Sequence, residues 1–226
     1  MKQHIAIDGP AGAGKSTVAR GVAKKLGYLY LDTGALYRAL TLHFLRKGLD
    51  PGIPNLENVL SEVNISLESS GDGTKVVLNG EDVTVLIRSP EVDRMVSRVA
   101  ESKGVRDFLR GIQRTLALSK PSVVEGRDIG TVILPEADLK IFLTAKPEVR
   151  AYRRWLELRA RGNTVDYKRV LKNILERDMI DSSRQHAPLK KADDAVLIDT
   201  SFLTIEEVIH KIYTLAVGEG NGRCGD

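Results

Sequence analysis

Hydrophobic and polar positions along the chain keep changing period, and most changes fall at a glycine or proline. Ile5-Ala6-Ile7-Asp8 is a short apolar run, the pattern of a buried strand. From Thr17 to Leu26, Val18, Ala19, Val22 and Ala23 recur at helical spacing, and the pattern stops at Gly27. Tyr28-Leu29-Tyr30-Leu31 predicts a second strand. A second helix is predicted from Ala35 to about Lys47, ending at Gly48. This β-α-β-α rhythm belongs to a parallel sheet covered by helices.

Between about Asp50 and Pro90 the rhythm breaks into short alternating runs. These are Val63 to Leu67, Lys75 to Leu78 and Asp82 to Thr84. Gly71-Asp72-Gly73 and Asn79-Gly80 separate them, and Asn-Gly is the strongest short-range hairpin signal. A small antiparallel insert is expected here. Long inserts in α/β enzymes tend to carry function.

The helical and strand-like runs then resume. Helices are predicted from about Pro90 to Ala100 and from about Val105 to Leu118, followed by a strand at Ser122 to Glu125. Another strand, Leu139 to Leu143, leads to Pro147, well placed for the first turn of a helix. That helix breaks at Gly162-Asn163, and another follows from about Val165 to Ile180. Ala195 to Asp199 predicts the fifth core strand, and Ile205 to Leu215 a last helix capped by Thr204. Gly218 to Asp226 has the composition of a disordered tail. The expected fold is α/β, a five-stranded parallel sheet flanked by helices. A core at 1–57 and 98–226 would carry a helical lid at about 148–184 and an inserted subdomain at 58–97.

Composition narrows the partners. Apolar residues make up 42% of the 226, enough for a substantial core. A formal net charge of +4 is too mild to demand nucleic acid but suits a small anionic substrate. The single cysteine, Cys224, cannot form an internal disulfide, which fits a reducing cytoplasm. The N-terminus runs straight into strand-like sequence, so no signal peptide is expected. No apolar run is long enough to span a membrane.

The chemistry concentrates in Gly9-Pro10-Ala11-Gly12-Ala13-Gly14-Lys15-Ser16, followed by Thr17. It fits the phosphate-loop pattern G-x-x-x-x-G-K-[ST], with a strand before it and a helix after it. Glycines let the backbone curl until several N–H groups point into one concavity, and the helix dipole adds to the same point. Lys15 would reach the outer phosphates of a nucleoside triphosphate, and the Ser16 hydroxyl would ligate its magnesium. A dinucleotide fingerprint is excluded, because Thr17 stands where its last glycine is needed.

A phosphate loop leaves three readings: a small-molecule phosphotransferase, a nucleotide-gated switch, or an ATPase acting on nucleic acid. The chain contains neither the D-x-x-G nor the N-K-x-D of a guanine-nucleotide switch. At 5% aromatics it lacks the stacking residues of a nucleic-acid groove. A phosphotransferase needs a second anion site and a way to exclude water. Thr33, Arg38, Arg106 and Arg127 are candidates for the first, since guanidinium groups match phosphate bidentately. The arginine-rich helix pair between Arg150 and Arg184 is the candidate lid. Within it, Arg161 and Arg169 suit a solvated face, whereas Arg150, Arg153, Arg154 and Arg184 suit a role in the site. Asp32-Thr33-Gly34 also matches an aspartic-protease signature, but that chemistry needs paired carboxylates, and the phosphate loop speaks against it.

Four segments together resemble the bacterial cytidylate kinases. They are Gly9 to Thr17, Asp32 to Arg38, Gly126-Arg127-Asp128-Ile129-Gly130-Thr131, and Arg177 to Arg184. The resemblance covers nearly the whole chain, including the long insert. It implies transfer of the terminal phosphoryl of ATP to CMP or dCMP with Mg2+, by a cytoplasmic monomer with neither nucleic acid nor membrane as partner. By residue, it implies that Gly9 to Thr17 hold ATP and that Thr33, Arg38 and Arg127 hold the acceptor phosphate. Ser97, Arg106 and Asp128 would read cytosine. Arg177, Asp181 and Arg184 would contact sugar, phosphates or base edge. Lys15, Arg150, Arg153 and Arg154 would approach the transferring phosphoryl. A carboxylate is the natural acceptor for the cytosine amino group. Asp128 read from its strand end alone equally suits a magnesium-linked carboxylate or an ion pair with Arg127.

Overall fold

A computed structural model describes residues 1–70, 73–160 and 162–218. The Gly71-Asp72 part of the expected turn, Arg161, and the tail from Glu219 with Cys224 lie outside the described residues.

Five strands form the main sheet: β1 (His4–Asp8), β2 (Leu29–Asp32), β6 (Ser122–Gly126), β7 (Leu139–Thr144) and β8 (Val196–Asp199). Their order is β2-β6-β1-β7-β8, and every pairing is parallel. In register, Ala6 faces Val124 on one side and Lys140 on the other. Ile5, Ala6 and Ile7 are fully buried, because the central strand of a parallel sheet is covered on both faces. Side chains alternate across it. Ile5 and Ile7 pack with Val18 and Val22 of α1 (Lys15–Leu26) and with Val208 and Ile212 of α8 (Ile205–Val217). Ala6 turns to the other face, toward Val124, Leu31, Ile129 and Ala117 of α5 (Lys103–Leu118).

The insert is an antiparallel sheet of β3 (Ile65–Ser70), β4 (Gly73–Leu78) and β5 (Glu81–Asp82). Asn79 and Gly80 both adopt positive φ, 50° and 84°, as a two-residue hairpin of the Asn-Gly kind requires. Its inner side chains, Val76 and Leu78, share one core with Leu36, Leu40 and Phe44 of α2 (Thr33–Lys47). Val96 and Val99 of α4 (Pro90–Glu101) close the same core, so the insert is seated on α2 and α4. A separate small cluster, Ala151, Val170 and Ile174 with Ala11, joins the lid pair α6 (Pro147–Ala160) and α7 (Tyr167–Ser183) to the phosphate loop.

The structure departs from the sequence expectations in three places. The last insert strand is only Glu81–Asp82. Beyond it Val83 turns into the core, and the Thr84 hydroxyl accepts from the Val76 N–H at 2.9 Å in place of a ladder bond. A short helix, α3 (Leu56–Ser61), precedes the insert sheet and was not anticipated. After β6 the chain makes a single π-helical turn, Ile129–Ile133. Its first two N–H groups donate to the Asp8 carboxylate, both at 2.8 Å.

Candidate active site

The functional segments converge at the carboxyl ends of β1, β2 and β6, where open parallel sheets bind ligands. The phosphate loop runs from Gly9 to the start of α1. Gly9 (φ 149°), Gly12 (φ 76°) and Gly14 (φ 90°) all take backbone conformations that side chains resist. A Cβ on Gly9 would stand 2.0 Å from the Leu143 carbonyl oxygen of β7. Gly14 caps α1 with no side chain, so the helix N-terminus is left to the loop's concavity. Lys15 is buried, and its Nζ donates to the Pro10 carbonyl at 2.8 Å. Burial, and then the nearby Arg127 charge, push its pKa well below the ordinary lysine value.

Beside the loop lies a group that the sequence reading passes over. Glu125, the last side chain of β6 before Gly126, is buried, accepts from the Tyr30 hydroxyl and lies near Ser16. Burial and neighbouring Asp32 raise its pKa. The readable signal is a carboxylate ending an otherwise apolar run, Val123-Val124. Ser16, Glu125 and Asp32 supply hard oxygen donors of the kind that suits magnesium. Among the described residues no cluster of three or more potential ligand side chains forms a complete metal cage.

Facing the loop is an arginine cluster. Arg127 Nε donates to Asp181 at 2.8 Å, and Arg38 Nη2 donates to Asp93 at 2.7 Å. Arg177 is near both arginines, and its Nε is buried with no hydrogen-bond partner. Burial and then repulsion from Arg127 and Arg38 lower its pKa to about 10. A buried donor without an acceptor costs free energy, and a phosphate oxygen would satisfy it. The Thr33 hydroxyl, at the start of α2, donates to the Glu125 carbonyl at 2.7 Å.

Next to the cluster is a cavity of about 520 Å³ lined by Tyr37, Arg106, Asp128, Val132 and His186, among others. Asp128 is buried and accepts from Arg106 Nη2; its other oxygen lies 3.9 Å from Arg184. Arg106 is held further by the Ala100 carbonyl at 3.2 Å, and Arg184 Nε donates to the Ala187 carbonyl at 2.6 Å. Asp181 bridges Arg184 and Arg127, so Arg106, Asp128, Arg184, Asp181 and Arg127 form one chain of alternating charge. Ser97 is half-buried on α4 and does not line this cavity.

The three lid arginines divide. Arg150 is buried and donates to the carbonyls of Ala145 (2.8 Å) and Ala11 (3.1 Å) and to Asp178 (2.6 Å), bracing the phosphate loop from outside. Arg153 donates to the Thr200 hydroxyl (3.0 Å) and carbonyl (2.6 Å), and the Thr200 hydroxyl reaches the Ala13 carbonyl at 3.3 Å. Arg154 alone of the three reaches across to α4, donating to Asp93, the partner of Arg38, at 2.7 Å. Arg169, expected on a solvated face, is exposed.

No helix among the described residues is long and apolar enough to cross a membrane. Among solved structures, an uncharacterized protein from Eubacterium ventriosum superposes with a TM-score of 0.50. The match covers 95% of this chain and 98% of that one at 14% identity, a likeness of fold alone. A cytidylate kinase of Carboxydothermus hydrogenoformans is 49% identical over 96% of this chain and 98% of its own length. One of Pelotomaculum thermopropionicum is 53% identical over 92% and 93%. The cytidylate kinase family model matches residues 5–217. With a loop built for a triphosphate, an arginine cluster opposite it and a match over nearly the whole length, the chain belongs to the cytidylate kinase family.

Proposed function

We propose that the protein transfers the terminal phosphoryl group of ATP to CMP and dCMP, giving CDP and dCDP. One observation carries the reading beyond family membership. An unpartnered buried guanidinium nitrogen, on Arg177, lies in an arginine cluster beside both the phosphate loop and a cavity with a carboxylate in its wall. A cation set on each side of one gap suits a phosphoryl donor on one side and a phosphate acceptor on the other.

In this reading the loop N–H groups from Gly9 to Thr17 hold the donor phosphates. Lys15 leaves the Pro10 carbonyl for the outer phosphates, which restore its full charge. Arg38, Arg127 and Arg177 bind the acceptor phosphate, and Arg154 reaches the moving group from α6. Arg150 and Arg153 act by fixing the loop rather than by contact. Ser16, with Glu125 and Asp32 behind it, holds Mg2+, whose chemistry when bound is to neutralise phosphate charge. No side chain has to act as base or nucleophile, since phosphoryl transfer is carried by positioning and electrostatics. The lid, about 148–184, keeps water out. The acceptor lies against the core (1–57 and 98–226), and the 58–97 insert borders it through Asp93, which holds Arg38.

Cytosine selection is assigned to Asp128, supported by Arg106 and Arg184. One of its oxygens is taken by Arg106; the other has only the distant Arg184 and is free for an exocyclic amino group. Uracil would present a carbonyl there, leaving two acceptors face to face, a mismatch that can discriminate by orders of magnitude. The protein is proposed to work as a monomer in the cytoplasm on small nucleotides alone.

The test is acceptor-dependent ADP release with magnesium-ATP against CMP, dCMP, UMP, AMP and GMP. Activity confined to CMP and dCMP is expected. Equal activity on UMP would keep the transfer chemistry and overturn the role of Asp128. No acceptor-dependent release at all would overturn the proposal.

A further inference from the structure

Asp93 is absent from every motif in the sequence, yet it touches two arginines of the site from different elements. It lies in the first turn of α4, where Ser89 caps the helix by accepting from Val92 N–H at 3.3 Å and Pro90 opens it. A carboxylate is favoured there by the helix dipole. Its Oδ1 accepts from Arg38 Nη2 and its Oδ2 from Arg154 Nη2, each at 2.7 Å. Arg38 belongs to α2, on the acceptor side, and Arg154 to α6, in the lid. All three side chains are about one-fifth exposed, at 21%, 18% and 22%.

We propose that Asp93 is a positioning residue for phosphoryl transfer, one carboxylate that sets the acceptor arginine Arg38 and the lid arginine Arg154 against each other. The proposal rests on the roles given above to those arginines. Two guanidiniums aimed at one phosphoryl group repel each other, and a bridging anion offsets that repulsion before substrate arrives. Each guanidinium gives Asp93 a single nitrogen. Arg38 adds the Ile87 carbonyl (3.2 Å) and Arg154 adds Glu157 (2.8 Å), so each orientation is set by two points. A guanidinium has five N–H groups, so donors remain for phosphate oxygens. Arg177 is the third cation facing Asp93, from α7. Burial works against the Asp93 charge, but Arg38 and Arg154 outweigh it and hold its pKa below the usual carboxylate range. An ordinary surface pair contributes little. This one joins the insert-bordering helix to the lid across 61 residues of sequence.

The experiment is a mutant cycle on the full chain: Asp93→Ala, Asp93→Asn, Asp93→Glu, Arg154→Ala, and Asp93→Ala combined with Arg154→Ala. Turnover number and KM for both substrates are measured well below each variant's Tm. Asp93→Ala and Asp93→Asn are expected to lower kcat about tenfold or more, the scale of a misplaced catalytic group, with KM for ATP changed less than about twofold. Asp93→Glu should recover part of the loss. In the double variant the two losses should multiply only in part, because both remove the Asp93–Arg154 contact while the Asp93–Arg38 contact is lost with Asp93 alone. Wild-type kcat in Asp93→Ala, losses that multiply in full, or no recovery with glutamate would each overturn the proposal. Amide hydrogen exchange along α6 reads the same contact without substrate. Faster exchange in both Asp93→Ala and Arg154→Ala is expected, and unchanged exchange in both would overturn the clamp. An inactive wild type in the acceptor panel would instead strike the proposed function, with the exchange result still deciding whether Asp93 holds α6.

Discussion

Lys15 is a cation in a place that disfavours cations: buried, near Arg127, and tied to a carbonyl rather than a carboxylate. Such a group gains most when an anion arrives, so Lys15→Met should lower kcat on the order of a hundredfold, measured by ADP release. Asp128→Ala should erase the preference for CMP over UMP while leaving ATP affinity within about twofold, read by calorimetry with each nucleotide. Gly9 is constrained by geometry instead. Its φ of 149° and the Leu143 carbonyl 2.0 Å from a would-be Cβ leave no space for alanine. Gly9→Ala should destabilise the fold by roughly 3 kcal/mol or more, seen as a lower midpoint in urea. Residues of the phosphate loop were legible because their partners lie within a few positions, as Lys15 and Pro10 do. Asp93 and Glu125 were not. Asp93 is made significant by Arg38 and Arg154, 55 and 61 residues away, and Glu125 by Tyr30, 95 residues away. Thr33 was read for its hydroxyl, but only the folded chain shows that hydroxyl turned to the Glu125 carbonyl.

At the scale of elements, local rules and tertiary forces separate cleanly. Helix α8 begins with a reciprocal capping box: Glu207 N–H donates to Thr204 Oγ1 at 3.2 Å, and Thr204 N–H to Glu207 Oε2 at 2.7 Å. Thr204→Ala should cost about 1 kcal/mol in chemical denaturation and leave KM and kcat unchanged, because the helix packs on the face away from the acceptor cavity. The Thr204 cap, the glycine stops at Gly27 and Gly48 and the Asn79-Gly80 hairpin were visible in sequence, since each depends on adjacent residues. The π-helical turn at Ile129–Ile133 was invisible. Its first N–H groups are drawn to the carboxylate of Asp8, more than 120 residues earlier, and no local pattern encodes that pull.

For the whole molecule, the same Asp8 links stability to pH. Burial, against the two N–H groups it accepts, raises its pKa from 3.8 to about 6. Between those values the folded chain keeps a proton that the unfolded chain has released, so stability falls as pH rises from about 4 to 6. The contribution is on the order of 3 kcal/mol. Asp8→Asn should remove this part of the slope, checked by urea midpoints of both proteins across that window.

The strand order also sets a schedule. β1 precedes the other strands of the sheet in the chain but sits at its centre, and its neighbours β6 and β7 end only at Gly126 and Thr144. A growing chain shorter than that holds the complete glycine loop in sequence without the Leu143 wall or the β6 edge that shape it. The hairpin sheet at 65–82 closes locally and is available much earlier. Nascent chains halted on the ribosome before β7 has emerged should therefore leave the loop open to protease and unable to retain ATP. Those released after α8 should protect it. The nucleotide site is translated before the strands that wall it and is complete only after them.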